Sequence, residues 1–249
     1  MDDTWSFVTE QVIPGLNLGF WATVQLAVPS ALLGLFFGIM VGVLRVYGPR
    51  PVQRLANGYV ALFRGTPLVV QLFCWYFGLP QICLFVESLP SAMAVLNATG
   101  LAWAPRLLVL SPMGSAILGF SLCSGAYHSE YVRGGLLSIR SGQIKAAQAL
   151  GMSPWQTVRH VVLPQAVRRA LPGCGNEIVY LIKYSSLASV VTVNELTGMA
   201  RGIAKSTWRN TEVFFTVGLY YLLLVTLATF ILGWVEERLS LPGFERRRE

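Results

Sequence analysis

Few side chains in this chain could do chemistry, and their spacing argues against most reactions. The two histidines, His128 and His160, lie far apart and outside any His-Glu-x-x-His arrangement, so no metal site is expected. Cys74, Cys83, Cys123 and Cys174 are scattered, without paired ligand spacing, and read as small core residues. Gly202-Ile203-Ala204-Lys205-Ser206-Thr207 has the outline of a phosphate loop, but Ala204 stands where a glycine must precede the lysine. Ser121, in Gly119-Phe120-Ser121-Leu122-Cys123, has no evident base or oxyanion partner for an intramembrane protease. No catalytic residue is therefore expected, no enzymatic activity, and no cofactor held by this chain.

Glu177 and Lys183 are more informative, because they interrupt an otherwise apolar segment at 171–193. Charged groups at membrane depth usually face a protein interior or a water-filled path. Six positions apart, they are separated by roughly 240° around a helix, so each needs its own partner. Lys183 suits the carboxylate of a passing amino acid, and Ser185 and Ser186 suit its polar groups. The competing structural reading is a snorkelling lysine or an ion pair that only holds helices together. Glu130 and Arg133, three apart, are expected to pair across one helical turn, and Arg64 to brace a helix entrance.

The elements that must position these groups belong to lipid. The chain has 249 residues, 54% hydrophobic and only 12% charged, about half the charge of a soluble domain. Residues 11–44 contain no Asp, Glu, Lys or Arg, and Asp2 and Asp3 argue against a cleaved leader. Five crossings are predicted, at about 18–44, 65–86, 107–130, 171–193 and 213–235, in one transmembrane domain covering 1–249. The segment 80–112, broken by Pro, Gly and Asn, reads as a loop with short interfacial helices, and a sixth crossing there stays open.

The net charge of +7 would raise nucleic acid as a partner in a soluble protein. Here the basic residues flank the spans, and nucleic acid is not expected. With the N-terminus outside and the C-terminus cytoplasmic, the inner segments take most of the arginines, including Arg45, Arg54, Arg133, Arg140, Arg159, Arg168 and the tail Arg246 to Arg248. The outer segments keep Arg106, Arg201, Lys205 and Arg209. The long inner segment 134–170 reads as helix, turn and second helix, with Gly151 and the Ser153-Pro154 pair at the turn.

That segment also carries a motif: Gln143, then Lys145-Ala146-Ala147, three residues, Gly151, nine residues, and Val161-Val162-Leu163-Pro164. It resembles the coupling motif of binding-protein-dependent permeases, Glu-Ala-Ala-x3-Gly-x9-Ile-x-Leu-Pro, with Lys145 in place of the Glu. The likeness extends along the chain to the polar amino acid branch of that family. It is carried by Phe63-Arg64-Gly65-Thr66-Pro67-Leu68, Tyr76-Phe77-Gly78-Leu79-Pro80, Ala126-Tyr127 with Glu130, Arg133-Gly134-Gly135, and Asn176-Glu177. Lys183-Tyr184-Ser185-Ser186-Leu187 is similar to the branch's Lys-Asp-Thr-Ser-Leu segment, with Tyr184 replacing the Asp, and Glu195 matches a later acidic position.

The resemblance implies the all-α fold of a type I ABC importer permease, in a bacterial inner membrane, with a cytoplasmic coupling helix in a groove of a separate ATPase. It implies an ATP-binding cassette dimer that binds the ATP, a second permease subunit, identical or homologous, and an extracytoplasmic binding protein that delivers an amino acid. Gln143, Lys145, Ala146, Ala147, Gly151, Leu163 and Pro164 become the coupling residues. Glu177, Lys183, Tyr184, Ser185 and Ser186 become candidates for the translocation pathway. The alternative is a gradient-driven secondary transporter or channel without an ATPase; the helix-turn-helix and the lack of inverted repeats count against it.

Overall fold

The computed structural model describes residues 2–239, which are overwhelmingly helical with no strand; the basic tail Arg246 to Arg248 lies outside them. The helices are α1 (Asp2–Phe7), α2 (Ile13–Tyr47), α3 (Arg50–Gly65), α4 (Leu68–Phe73), α5 (Leu79–Glu87), α6 (Pro90–Ala98), α7 (Pro112–Leu137), α8 (Ser141–Ala149), α9 (Pro154–Thr157), α10 (Leu163–Tyr184), α11 (Leu196–Thr207) and α12 (Asn210–Leu239). Three stretches are long and apolar enough to cross a membrane: Asp3–Tyr47, Leu68–Glu87 and Asn210–Leu239. The predicted crossings at 18–44, 65–86 and 213–235 fall on them. Helices α7 and α10 have 26 and 22 residues, about 39 and 33 Å at 1.5 Å per residue, long enough to cross. Their hydroxyl, small and charged residues make them less apolar.

Three π-helical turns, Val8–Val12, Cys74–Gly78 and Val158–Val162, interrupt long helical runs. Each is followed, two positions on, by a proline: Pro14, Pro80 or Pro164. A helical proline has no N–H to donate, and its ring crowds the carbonyl four residues earlier, here that of Glu10, Tyr76 or His160. The wider turn lies over that carbonyl and relieves the crowding. Pro29 and Pro172 sit within α-helix without such a turn.

The start of α7 at Pro112 and the 3₁₀ turn Ala104–Leu108 shorten the crossing predicted from 107. Segment 80–112 holds the short helices expected of it, and Arg106 reaches Glu87 at 3.6 Å. Likewise α10 stops at Tyr184, and Ser185–Val191 continues as 3₁₀ helix. The hydroxyls of Ser185, Ser186 and Ser189 donate to the carbonyls of Ile182, Lys183 and Ser186 at 2.7, 2.9 and 2.8 Å. Such local bonds compete with the regular ladder and tighten the helix.

The chain divides into two compact units: one comprises the chain up to Ser30, Thr66–Ser121 and Ile182–Tyr221, and the other Ala31–Gly65, Leu122–Leu181 and the chain from Leu222. In the first, Leu26, Leu72, Ala116, Phe120, Ala188, Val191 and Val193 form a buried apolar cluster. A Cβ at Gly19 would stand 3.0 Å from the Leu196 backbone, tighter than most Cβ contacts, so glycine favours this close approach. Thr23 fastens it, its hydroxyl accepting the Leu196 N–H at 3.1 Å and donating to the Gly19 carbonyl at 2.9 Å.

In the second unit, Leu136, Ile139, Val162 and Ala166 are buried together, with Val46, Val132 and Ile144 packed on them. Helix α3, which the sequence reading did not anticipate, buries Ala56, Val60 and Phe63 at helical spacing. Glu130 lies at a junction of three arginines. It meets Arg45 of α2 at 2.9 Å, Arg64 of α3 at 3.1 Å and Arg133 of its own helix at 3.0 Å. The pair expected between Glu130 and Arg133 is present, and Arg64 braces α3 against α7, also lying over the Tyr127 ring. Cys83, Cys123 and Cys174 are buried as expected of small core residues, while Cys74 is exposed.

Candidate coupling site

Residues 140–164, all in the second unit, fold as the sequence prescribes locally. Helix α8 ends in a Schellman turn: the Met152 N–H donates to the Ala147 carbonyl at 3.1 Å and the Gly151 N–H to the Gln148 carbonyl at 2.9 Å. Gly151 has φ +85°, where an L side chain is strained and glycine is not. Ser153 then starts α9 with a capping box. Its Oγ accepts the Gln156 N–H at 3.3 Å, and Gln156 Oε1 accepts the Ser153 N–H at 2.8 Å. Pro154 occupies the first helical position, which has no need of an N–H.

The two faces of α8 differ. Ile144 packs into the apolar cluster and Ala147 is buried. Gly142, Gln143, Lys145, Ala146 and Ala149 are exposed. Beyond the turn, Leu150 is 82% exposed and Trp155 69%. Leu150, Gly151, Met152, Gln156 and His160 line an open hollow of about 360 Å³. The sequence of α9, the π turn Val158–Val162 and α10 is continuous helix, with Leu163 and Pro164 at the start of α10.

The candidate pathway residues are placed separately. In the second unit Glu177 is buried, with Ser124 and Arg64 near enough to act on it. Ser124 in turn lies 3.0 Å from His128 Nδ1. In the first unit Lys183 and Tyr184 are exposed at the end of α10, Ser186 is half-buried and Ser185 is buried.

Glu195, also in the first unit, is fully buried and caps α11: its carboxylate accepts the N–H groups of Thr197 and Gly198 at 2.9 Å each and the Tyr221 hydroxyl at 2.7 Å. Burial raises its carboxyl above the usual carboxylate range, against the lowering pull of those three donors. Sequence reasoning noted Glu195 only as an acidic position. No standard cap signal announces that role, because Glu is not among the residues that favour the N-cap position.

A helical membrane chain that exposes a locally encoded helix-turn-helix continuous with a membrane-length helix has the build of a transporter's membrane subunit. The comparisons with known proteins make the class specific. Residues 34–241 match the family described as binding-protein-dependent transport system inner membrane component, and the chain belongs to that family. It is thus a transport component of the inner membrane, the permease subunit of an ABC importer.

It is 41% identical over 209 residues to the nopaline transport system permease protein of Agrobacterium fabrum, covering 84% of this chain and 81% of that protein. It is 33% identical over 241 residues to the glutamine transport system permease protein of Escherichia coli K12, covering 97% and 100%. The fold resembles the crystal structure of an amino acid ABC transporter with histidines, with a TM-score of 0.75, 26% identity, and coverage of 94% and 97% of the two chains.

Proposed function

We propose that this chain imports a polar amino acid or an amino acid derivative, drawing its energy from ATP bound by a separate cassette dimer. Five crossings, with the N-terminus outside and the C-terminus cytoplasmic, carry the pathway together with a second permease subunit. A binding protein delivers the cargo to the outer face. Glu177, Lys183, Tyr184, Ser185 and Ser186 line or support the route. Two populated states, open to either side, exchange as ATP binds and is hydrolysed, which is alternating access.

The observation that carries this reading is the coupling turn. Gly151 at positive φ, between a helix with one small-residue face and a capped second helix, presents α8 as a rigid, exposed peg. The relatives named for nopaline and glutamine transport support the cargo class.

The test is co-purification of the ATPase with the tagged permease in detergent, comparing the native chain with Gly151→Arg. The native chain should bring down the ATPase and the variant should lose it while keeping its helical content. A folded native chain that recovers no ATPase would move a gradient-driven mechanism to first place.

A further inference from the structure

We propose that the ATPase groove receiving α8 is lined by carboxylates, and that Lys145 forms its central ion pair with an Asp or Glu there; this rests on the importer reading above. From residue 131 to residue 176 the sequence contains no acidic residue at all. Arg140, Lys145 and Arg159 are exposed in that stretch, and none of them has an acidic partner among the described residues. The coupling face therefore carries one sign of charge, and its field favours an anionic partner surface.

The position of Lys145 sharpens this. Ile144 and Ala147 turn inward, and the side of α8 facing away from them is built from Gly142, Lys145, Ala146 and Ala149. Lys145 is the one long side chain on that side. A surface this shallow lets a partner backbone approach closely, which strips water from the ammonium group. A desolvated cation without a counter-charge opposes docking, so the complementary groove must supply a carboxylate. A lipid surface is a poorer fit, because this side of α8 offers only Gly and Ala to the acyl chains.

The experiment uses the full permease in phosphatidylcholine nanodiscs and the separately purified ATPase subunit of the same transport system. Binding affinity is measured for the native chain, Lys145→Gln, Lys145→Glu and Gly151→Arg at low and high salt. A carbodiimide is then added to join Lys145 to any touching carboxylate as an amide, with loss of water, and the linked peptides are identified by mass spectrometry. The proposal expects about threefold weaker binding for Lys145→Gln and at least about tenfold weaker for Lys145→Glu, both differences shrinking at high salt. It also expects a link from Lys145 to an ATPase Asp or Glu.

If Lys145→Glu binds as well as the native chain and no link forms, the acidic groove is wrong and the importer reading stands. If Lys145→Glu keeps its ATPase affinity but weakens attachment of the segment to phosphatidylglycerol nanodiscs, the face belongs to lipid. If the native chain binds no ATPase while remaining folded, both readings fall.

Discussion

Arg45 on α2 and Glu130 on α7, 85 positions apart in sequence, meet at 2.9 Å. The arginine side chain is 8% exposed, and it also donates to Asn57 Oδ1 at 2.7 Å and Ser129 Oγ at 3.3 Å. Glu130 is thus the shared counter-ion that joins α3 to the parts of α2 and α7 that belong to the second unit. Such a cluster depends most on its shared member, because removing Glu130 leaves the buried Arg45 without its carboxylate, whereas losing one exposed arginine leaves Glu130 with two.

Glu130→Ala should destabilise the chain by about 2–4 kcal/mol, since it leaves the guanidinium of Arg45 buried without its carboxylate. Arg133→Ala, removing a partly exposed partner, should cost no more than about 1 kcal/mol. Thermal unfolding in detergent, followed by tryptophan fluorescence, checks the order of the two variants.

The cap on α11 gives a local prediction. Glu195→Ala removes the acceptor for Thr197, Gly198 and Tyr221, and should cost about 1–2 kcal/mol as a lost helix cap. Hydrogen exchange should rise across Leu196–Thr207, while α8 and α9 keep their protection. Uniform loss of protection would contradict a local role.

At the coupling turn, side chains that tolerate a left-handed backbone should be tolerated better. Gly151→Asn is expected to keep more ATPase binding than Gly151→Ala, whose strain is about 1–2 kcal/mol. Affinities of the two variants for the purified ATPase decide it. Equal losses would mean that side-chain bulk, not backbone conformation, matters here.

Orientation can be read by labelling. In a Cys74→Ser background, where the other three cysteines are buried, Lys205→Cys should react with an impermeant maleimide from outside intact spheroplasts. In cells lacking the ATPase, Lys145→Cys should react only after they are opened. The reverse pattern would invert the proposed topology.

The coupling segment was largely legible in the sequence because its determinants are local: a Schellman glycine and a Ser-x-x-Gln cap each act within a few residues. The three long apolar stretches, within Asp3–Tyr47, Leu68–Glu87 and Asn210–Leu239, were legible for the same reason. Helix α3 was not predicted although Ala56, Val60 and Phe63 repeat at helical spacing, because Arg50, Arg54 and Arg64 leave it without the long apolar run that marks a crossing. The convergence of Arg45 and Arg64 on Glu130 depends on helix packing and no local pattern announces it. Ser185 and Ser186 were read for their hydroxyls as ligands; those hydroxyls also bond back to the helix, and this determines where α10 ends.

The most direct test of the central claim is ATP-driven uptake. The permease is reconstituted into proteoliposomes with its ATPase and an amino-acid-loaded binding protein, and uptake and ATP hydrolysis are measured for the native chain and Gly151→Arg. Uptake that requires ATP, with hydrolysis stimulated by the loaded binding protein and both lost in Gly151→Arg, is the predicted result. Uptake by the permease alone, driven by an ion gradient and unchanged by Gly151→Arg, would contradict it.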